Sequence, residues 1–328
     1  MGKINPEMHL IENFKEAKWI PSRNGYGKGL VELGKKNSNV VALCCDLTDS
    51  TRMAWFKEKF PERFIEVGVA EQNMMGVAAG MAKEGKIPFV SSYAVFNPGR
   101  NWDQLRVSVC YAEANVKIEG AHAGISVGPD GATHQALEDI AITRCIPNLI
   151  VLVPSDAIEG EKATIQAGQI KGPVYLRFGR EKVPAITTER TPFQIGKAEI
   201  FREGKDVCIV ACGMMVYFAL QAAEELEKQG IDAMVINNHT IKPIDKETLI
   251  NAAKKTGAIV TAEEHQVFGG MGSAVAEVLS EHYPVPIKFV GIKDRFGESG
   301  TPEELLEKFG CTDKDIVKAV KDVLENKK

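Results

Sequence analysis

The chain lacks the long apolar run that a membrane segment requires. Nowhere in its 328 residues do roughly 18 apolar residues follow one another. It also lacks blocks of like charge, none being longer than the pair Lys327-Lys328, and its net charge is only −4. A nucleic-acid surface and a polyanionic partner are therefore not expected. The first residues, MGKINPEMHLIENFKEAKW, carry Glu and Lys throughout and hold no apolar core of signal-peptide length. The seven cysteines form no disulfide framework, and Cys208 and Cys212 have no histidine or second close pair beside them, which argues against zinc. A cytoplasmic location is the expectation. The familiar phosphate cradles are missing too: no G-x-x-x-x-G-K-[ST] occurs, and no G-x-G-x-x-G follows a strand. There is no G-x-S-x-G elbow and no H-E-x-x-H.

What is present is a repeated alternation of apolar strands and longer helical segments. NVVALCC, RFIEV, PFVSS, NVKIEG, NLIVLVP and PVYLRF read as strands, separated by helices such as AEQNMMGVAAGMAKEG and AIEGEKATIQAGQI. Continuous apolar strands between helices predict a parallel sheet buried on both faces. The reading is α/β throughout: an arm over 1–20, a doubly wound domain over 20–182, a linker over 183–195 and a smaller α/β domain over 196–328. In the second domain KAEIF and DVCIVAC, joined by REGK, read as a hairpin.

Ligands of a parallel open sheet gather at the carboxyl ends of its strands. The polar residues placed there are Asp46 and Ser50 after VVALCC, Glu71 after RFIEV, and Tyr93 and Phe96 after PFVSS. His122, Asp130 and His134 follow NVKIEG, and Arg177 and Arg180 close the first domain's last strand. Each has a plainer reading. Glu71 opens a helix and could be a capping carboxylate. Thr133 could cap a helix and leave His134 incidental. His122 could be a solvated loop residue, Tyr93 and Phe96 core, Arg180 a surface charge, and Asp130-Gly131 a turn. GGMGS at 269–273 could hold an anion at a helix start, although helix–sheet packing also accounts for it. Behind Glu71, Gly76 and Gly80 lie on one helix face, where a second backbone could pack.

These residues stand within motifs that resemble transketolase, a thiamine-diphosphate enzyme. VGVAEQNMMGVAAGMA, SSYAVFNPGRNWDQLR, AHAGISVGPDGATHQALEDIAITRCIPNLIVLVPSD and GPVYLRFGRE resemble its pyrimidine-binding domain. TIKPIDKETL and VTAEEHQVFGGMGSAVAEVL resemble its C-terminal domain. The family's diphosphate-holding motif, Gly-Asp-Gly with a downstream Asn, is absent. The resemblance therefore implies the small subunit of a split transketolase. A separate N-terminal subunit would hold the diphosphate and its Mg²⁺, or Ca²⁺ or Mn²⁺ in its place, and this chain would supply no metal ligand.

The resemblance also implies roles. Glu71 matches the catalytic glutamate that hydrogen-bonds N1′ of the aminopyrimidine, a task for a carboxyl that carries a proton part of the time near neutrality. Tyr93 and Phe96 match the rings against that pyrimidine, and Asp46 a cofactor contact. His134 and Asp130 match residues at the ketol hydroxyls. His122, Arg180, Arg23 and Ser50 match positions at the sugar-phosphate end. The implied reaction moves a two-carbon ketol unit from a ketose phosphate to an aldose phosphate, in a dimer or heterotetramer. The related 1-deoxyxylulose-5-phosphate synthase, an oxo-acid dehydrogenase β subunit and a non-catalytic partner-binding subunit are the alternatives. In any of these assemblies the Gly76–Gly80 face becomes a subunit-packing surface.

Overall fold

The computed structural model describes residues 3–327, so the first two residues of the arm and the last lysine lie outside it. Among the described residues the strands run β1 Trp19–Pro21, β2 Val40–Cys44, β3 Phe64–Glu66, β4 Ile87–Tyr93, β5 Lys117–Ala121, β6 Ile150–Leu152 and β7 Val174–Arg177. They continue as β8 Lys182–Pro184, β9 Glu199–Arg202, β10 Val207–Ala211, β11 Ala233–Asn237, β12 Thr240–Lys242, β13 Ile259–Gln266 and β14 Ile287–Ile292. The helices are α1 Arg23–Lys36, α2 Met53–Lys59, α3 Glu71–Lys83, α4 Trp102–Gln104, α5 Asp139–Arg144 and α6 Ala157–Gln169. Those of the second half are α7 Met215–Lys228, α8 Lys246–Thr256, α9 Met271–His282, α10 Pro302–Phe309 and α11 Asp313–Leu324.

The first sheet has the order β12-β6-β7-β5-β4-β2-β3 and is parallel except for β12. All five side chains of β2 are buried. A fully buried Val or Leu contributes roughly 1.5–3 kcal/mol, which is why such unalternating strands settle at the centre of a covered sheet. The second sheet has the order β14-β13-β10-β11-β9 and is parallel except for β9. One apolar core joins the two halves: Val151 and Val153 share it with Cys208, Val210 and Ile236.

Two features depart from the sequence reading. KAEIF and DVCIVAC do not form a hairpin, because β9 pairs with β11 and not with β10. The link between them crosses the start of β11: Lys205 and Asp206 donate to the Asp232 carbonyl, and a Cβ on Gly204 would meet the Met234 nitrogen at 2.2 Å. In addition, β12 leaves the second half and adds an antiparallel edge to β6 in the first sheet, tying the halves together. Between β4 and β5 the chain forms a single α turn followed by a π-helical stretch, Leu105–Tyr111. The arm packs back on the body, with β1 antiparallel to β8.

Packing of α1 on α6 sets the site's rim. A Cβ on Gly25 would lie 1.9 Å from the Ala157 carbonyl oxygen, so only glycine permits this backbone approach. The contact fixes the start of α1, and with it Arg23, at the carboxyl edge of the first sheet.

Candidate active site

Glu71 begins α3 but does not cap it. No side-chain cap bond is made at the helix start; the carboxylate turns inward and is 1% exposed. Ser92 donates its hydroxyl to Oε1 at 3.2 Å, and Arg100 donates Nη1 to Oε2 at 2.7 Å. The Arg100 guanidinium also lies 4.7 Å from the centre of the Phe96 ring. The loop carrying Phe96 and Arg100 is held from behind: Asn101 donates to the Glu71 carbonyl and to Asn97, and Asn97 donates to the Glu119 carbonyl. Buried amides of this kind position a loop more firmly than its exposed residues could.

Four rings converge at the same sheet edge. Tyr93 stacks on His122 with centroids 3.9 Å apart and lies 6.3 Å from Phe96. His134 meets both Tyr93 and Phe96 edge-on, at 6.0 and 5.7 Å. Its Nδ1 bonds the Thr133 hydroxyl at 2.9 Å, and because α5 starts only at Asp139, Thr133 caps no helix.

His122 follows β5 directly and is 3% exposed, with φ 53°. Its Nδ1 is buried without a hydrogen-bond partner among the described residues. Burial, with Arg23, Arg180 and Arg52 close by, pushes the imidazole down to about 2. His122 is therefore a neutral ring within a cationic rim. Arg23 donates to the Arg180 carbonyl, and Arg180 donates to Val127 O and Glu181, with Asp130 3.9 Å away. Burial, then Arg52, lowers the Arg23 guanidinium to about 10.

Not every residue picked from the sequence joins this group. Asp46 is exposed at the end of β2, where its N–H donates to Glu66. Ser50 lies half-buried in the turn that delivers Arg52. Arg177 is buried and holds Asp139 at 2.9 Å and the Glu264 carbonyl, so it braces the two halves. Arg100 and Arg52 were missed. Arg100 stands inside the motif NPGRNWDQ, and Arg52 sits two residues beyond Ser50 at a φ of 66°. The GGMGS turn holds its own acid: Glu263 accepts from Met271 and Gly272 at the start of α9, which favours packing over anion binding.

The face beyond Glu71 is open. Gly76 and Gly80 are exposed on α3, and a Cβ on either would meet nothing within 4 Å. Val77, Val107 and Tyr111 are exposed apolar residues on α3 and the π-helical stretch that packs beside it.

Two family models account for almost all of the chain: "Transketolase, pyrimidine binding domain" over residues 18–185 and "Transketolase, C-terminal domain" over residues 196–316. The chain belongs to the transketolase family. It is 47% identical over 312 residues to "6-deoxy-6-sulfo-D-fructose transketolase subunit SqwH" of Clostridium sp. (strain MSTE9), covering 95% of this chain and 96% of that protein. It is 40% identical to "Transketolase-like protein 2" of Mus musculus, covering 98% of this chain and 51% of the mouse protein. A solved transketolase structure described as "Split gene transketolase, inactive beta4 tetramer" superposes with a TM-score of 0.89 at 51% identity, over 94% of this chain and 100% of that one. The chain thus corresponds to the pyrimidine-binding and C-terminal domains of longer transketolases, and matches a split-gene transketolase chain from end to end.

Proposed function

We propose that this chain is the C-terminal subunit of a two-chain transketolase and contributes the pyrimidine side of the active site. The observation that carries the reading is that one buried carboxylate, Glu71, and the Tyr93, Phe96, His122 and His134 rings share a single sheet edge and are linked there by Arg100, which pairs with Glu71 and lies over Phe96. These residues fit the aminopyrimidine of thiamine diphosphate: a ring-lined wall, a buried carboxylate at the same sheet edge, and the orphaned Nδ1 of His122. Bound thiamine diphosphate supplies the centre that stabilises the carbanion. Its diphosphate and Mg²⁺ are assigned to the N-terminal subunit, since the carboxylates gathered here, Glu71 and Asp130, each face an arginine and are not grouped as a hard-cation oxygen set.

Within that frame, Glu71 holds a proton at the pyrimidine N1′, and Tyr93 and Phe96 fix the ring plane. Asp46 stands further out on the same edge as a cofactor contact. His134 and Asp130 meet the ketol hydroxyls, where His134 moves protons to and from the substrate. The Arg23, Arg180 and Ser50 side, joined by Arg52, receives the terminal anion of the sugar. Neutral His122 adds a hydrogen bond without adding charge. The donor is a ketose phosphate. The name of the Clostridium relative brings in a sulfonate as a second terminal anion, and the guanidinium forks suit either. The α3 face around Gly76 and Gly80 packs against another subunit of a heterotetramer.

The test is ketol transfer from a ketose phosphate by the two subunits together with thiamine diphosphate and Mg²⁺. Glu71→Ala should lose turnover by at least about 100-fold while its unfolding transition stays in place, since Arg100 is left at the surface. An active variant removes the assigned role.

A further inference from the structure

Away from the ring-lined edge, three metal-capable side chains meet where the two halves join. Glu159 comes from α6 in the first half, Glu199 opens β9 in the second, and His239 lies in the turn between β11 and β12. One donor atom from each lies within 4.8 Å of the others. His239 Nε2 is 2.8 Å from both carboxylate oxygens of Glu199. The three side chains are 1, 7 and 0% exposed. Glu159 is fixed by Ser155 N–H on Oε2 at 2.5 Å and by Asn237 Nδ2 on Oε1 at 2.7 Å. Phe193 covers the His239 ring at 4.2 Å between centroids.

The polar inventory of this seam does not close with protein atoms. Asn237 Oδ1 and Ser155 Oγ are buried and have no hydrogen-bond partner among the described residues, and the two Glu199 oxygens share the single His239 Nε2. Asn237 is fully buried, and its Nδ2 donates to Glu159 Oε1, which leaves the Oδ1 of the same amide unpartnered next to the cluster. The nearby ammonium of Lys162 is engaged elsewhere, donating to the Thr188 and Thr191 carbonyls. Buried oxygens left in excess of donors are costly, and a water brings only two hydrogens to them. A cation would draw on the Glu199 and Asn237 oxygens together. Imidazole nitrogen, carboxylate oxygen and amide oxygen form a donor set for a first-row divalent ion. His239 is also prepared on its far side: Nδ1 lies 2.9 Å from Thr240 Oγ1, which already accepts the Gly196 N–H. A Thr240 oxygen that accepts Nδ1–H as well leaves the Nε2 lone pair directed into the cluster.

We propose that Glu159, Glu199 and His239, with Asn237 Oδ1 as a fourth donor, form a structural site for one divalent transition-metal ion, Zn²⁺ or Mn²⁺, that clasps the two halves of the chain. This ion is distinct from the Mg²⁺ of the cofactor and is bound by this chain alone. Because its ligands come from elements far apart in sequence, binding is coupled to docking of the halves.

The full chain is stripped by dialysis against a chelator, exposed separately to Zn²⁺ and to Mn²⁺, desalted, and measured for metal content and unfolding midpoint. The expected result is about one ion per chain for one of the two metals, with a higher midpoint in the loaded form. The isosteric variants Glu199→Gln and Glu159→Gln should retain at least about tenfold less metal. Circular dichroism of the stripped variants reports whether they fold, and Asn237→Ala, which removes a neutral donor only, should weaken retention in a chain that keeps both carboxylates. Wild-type chain that retains neither metal overturns the proposal, as does equal retention by wild type and Glu199→Gln.

Discussion

Arg100 Nη1 lies 2.7 Å from Glu71 Oε2, so the carboxylate at the centre of the site is ion-paired within its own subunit. Arg100 is 45% exposed and rests against Phe96, one of the rings proposed to face the aminopyrimidine. In the proposed role the pair opens before Glu71 serves N1′. A half-exposed ion pair contributes up to about 1 kcal/mol, equivalent to about fivefold in affinity. Arg100→Met should therefore tighten thiamine-diphosphate binding to the two-subunit enzyme by up to about fivefold, measured by fluorescence titration. Weaker binding in the variant would show that Arg100 helps to hold the cofactor.

The terminal-anion assignment predicts a selective defect. Arg180→Ala and His122→Ala should raise KM for a phosphorylated ketose well above any change for its unphosphorylated analogue, with kcat less affected. This is the signature of lost binding common to ground and transition states. Equal effects on both substrates would remove the anion from this side of the site.

Neutral His122 makes stability depend on acidity. In the unfolded chain the imidazole takes a proton as pH falls below about 6.5. In the folded chain burial and the arginines hold it down to about 2. Between those values the unfolded state binds more protons, so this contribution to stability is lost as pH falls through 6.5, at up to about 1.4 kcal/mol per unit. Between pH 7 and pH 5 the wild type should lose about 2 kcal/mol more than His122→Gln in urea unfolding. Parallel losses would mean that His122 is protonated in the folded state.

The exposed α3 face predicts a separation of folding from assembly. Gly76→Leu with Gly80→Leu replaces two costly helix residues at points with open space, so the isolated chain should be no less stable and could gain about 1 kcal/mol per site. Sedimentation of the double variant should show impaired assembly. Unchanged assembly would place the subunit contact elsewhere.

Much of this site could be read from sequence because it follows one rule. Tyr93 closes a parallel strand, Glu71, His122 and Arg180 each stand just past the end of one or in the loop that follows it, and apolar strands announce those ends. Arg100 and Arg52 were not legible, since their roles depend on how two loops fold back, which no periodicity records. The hairpin was misread for a related reason. A four-residue link looks like a turn, but only three-dimensional packing shows β11 inserted between its strands. The three-residue β12 carried no pattern long enough to assign, and it is the strand that crosses into the first sheet. The Glu159–Glu199–His239 cluster was invisible in the same way, being drawn from three segments with no common motif.

The most direct test is titration of this chain with its N-terminal subunit in an assay of ketol transfer, at saturating thiamine diphosphate and Mg²⁺. The account predicts no turnover from this chain alone and activity that rises to a plateau as the partner is added. Full activity of the purified single chain would contradict it.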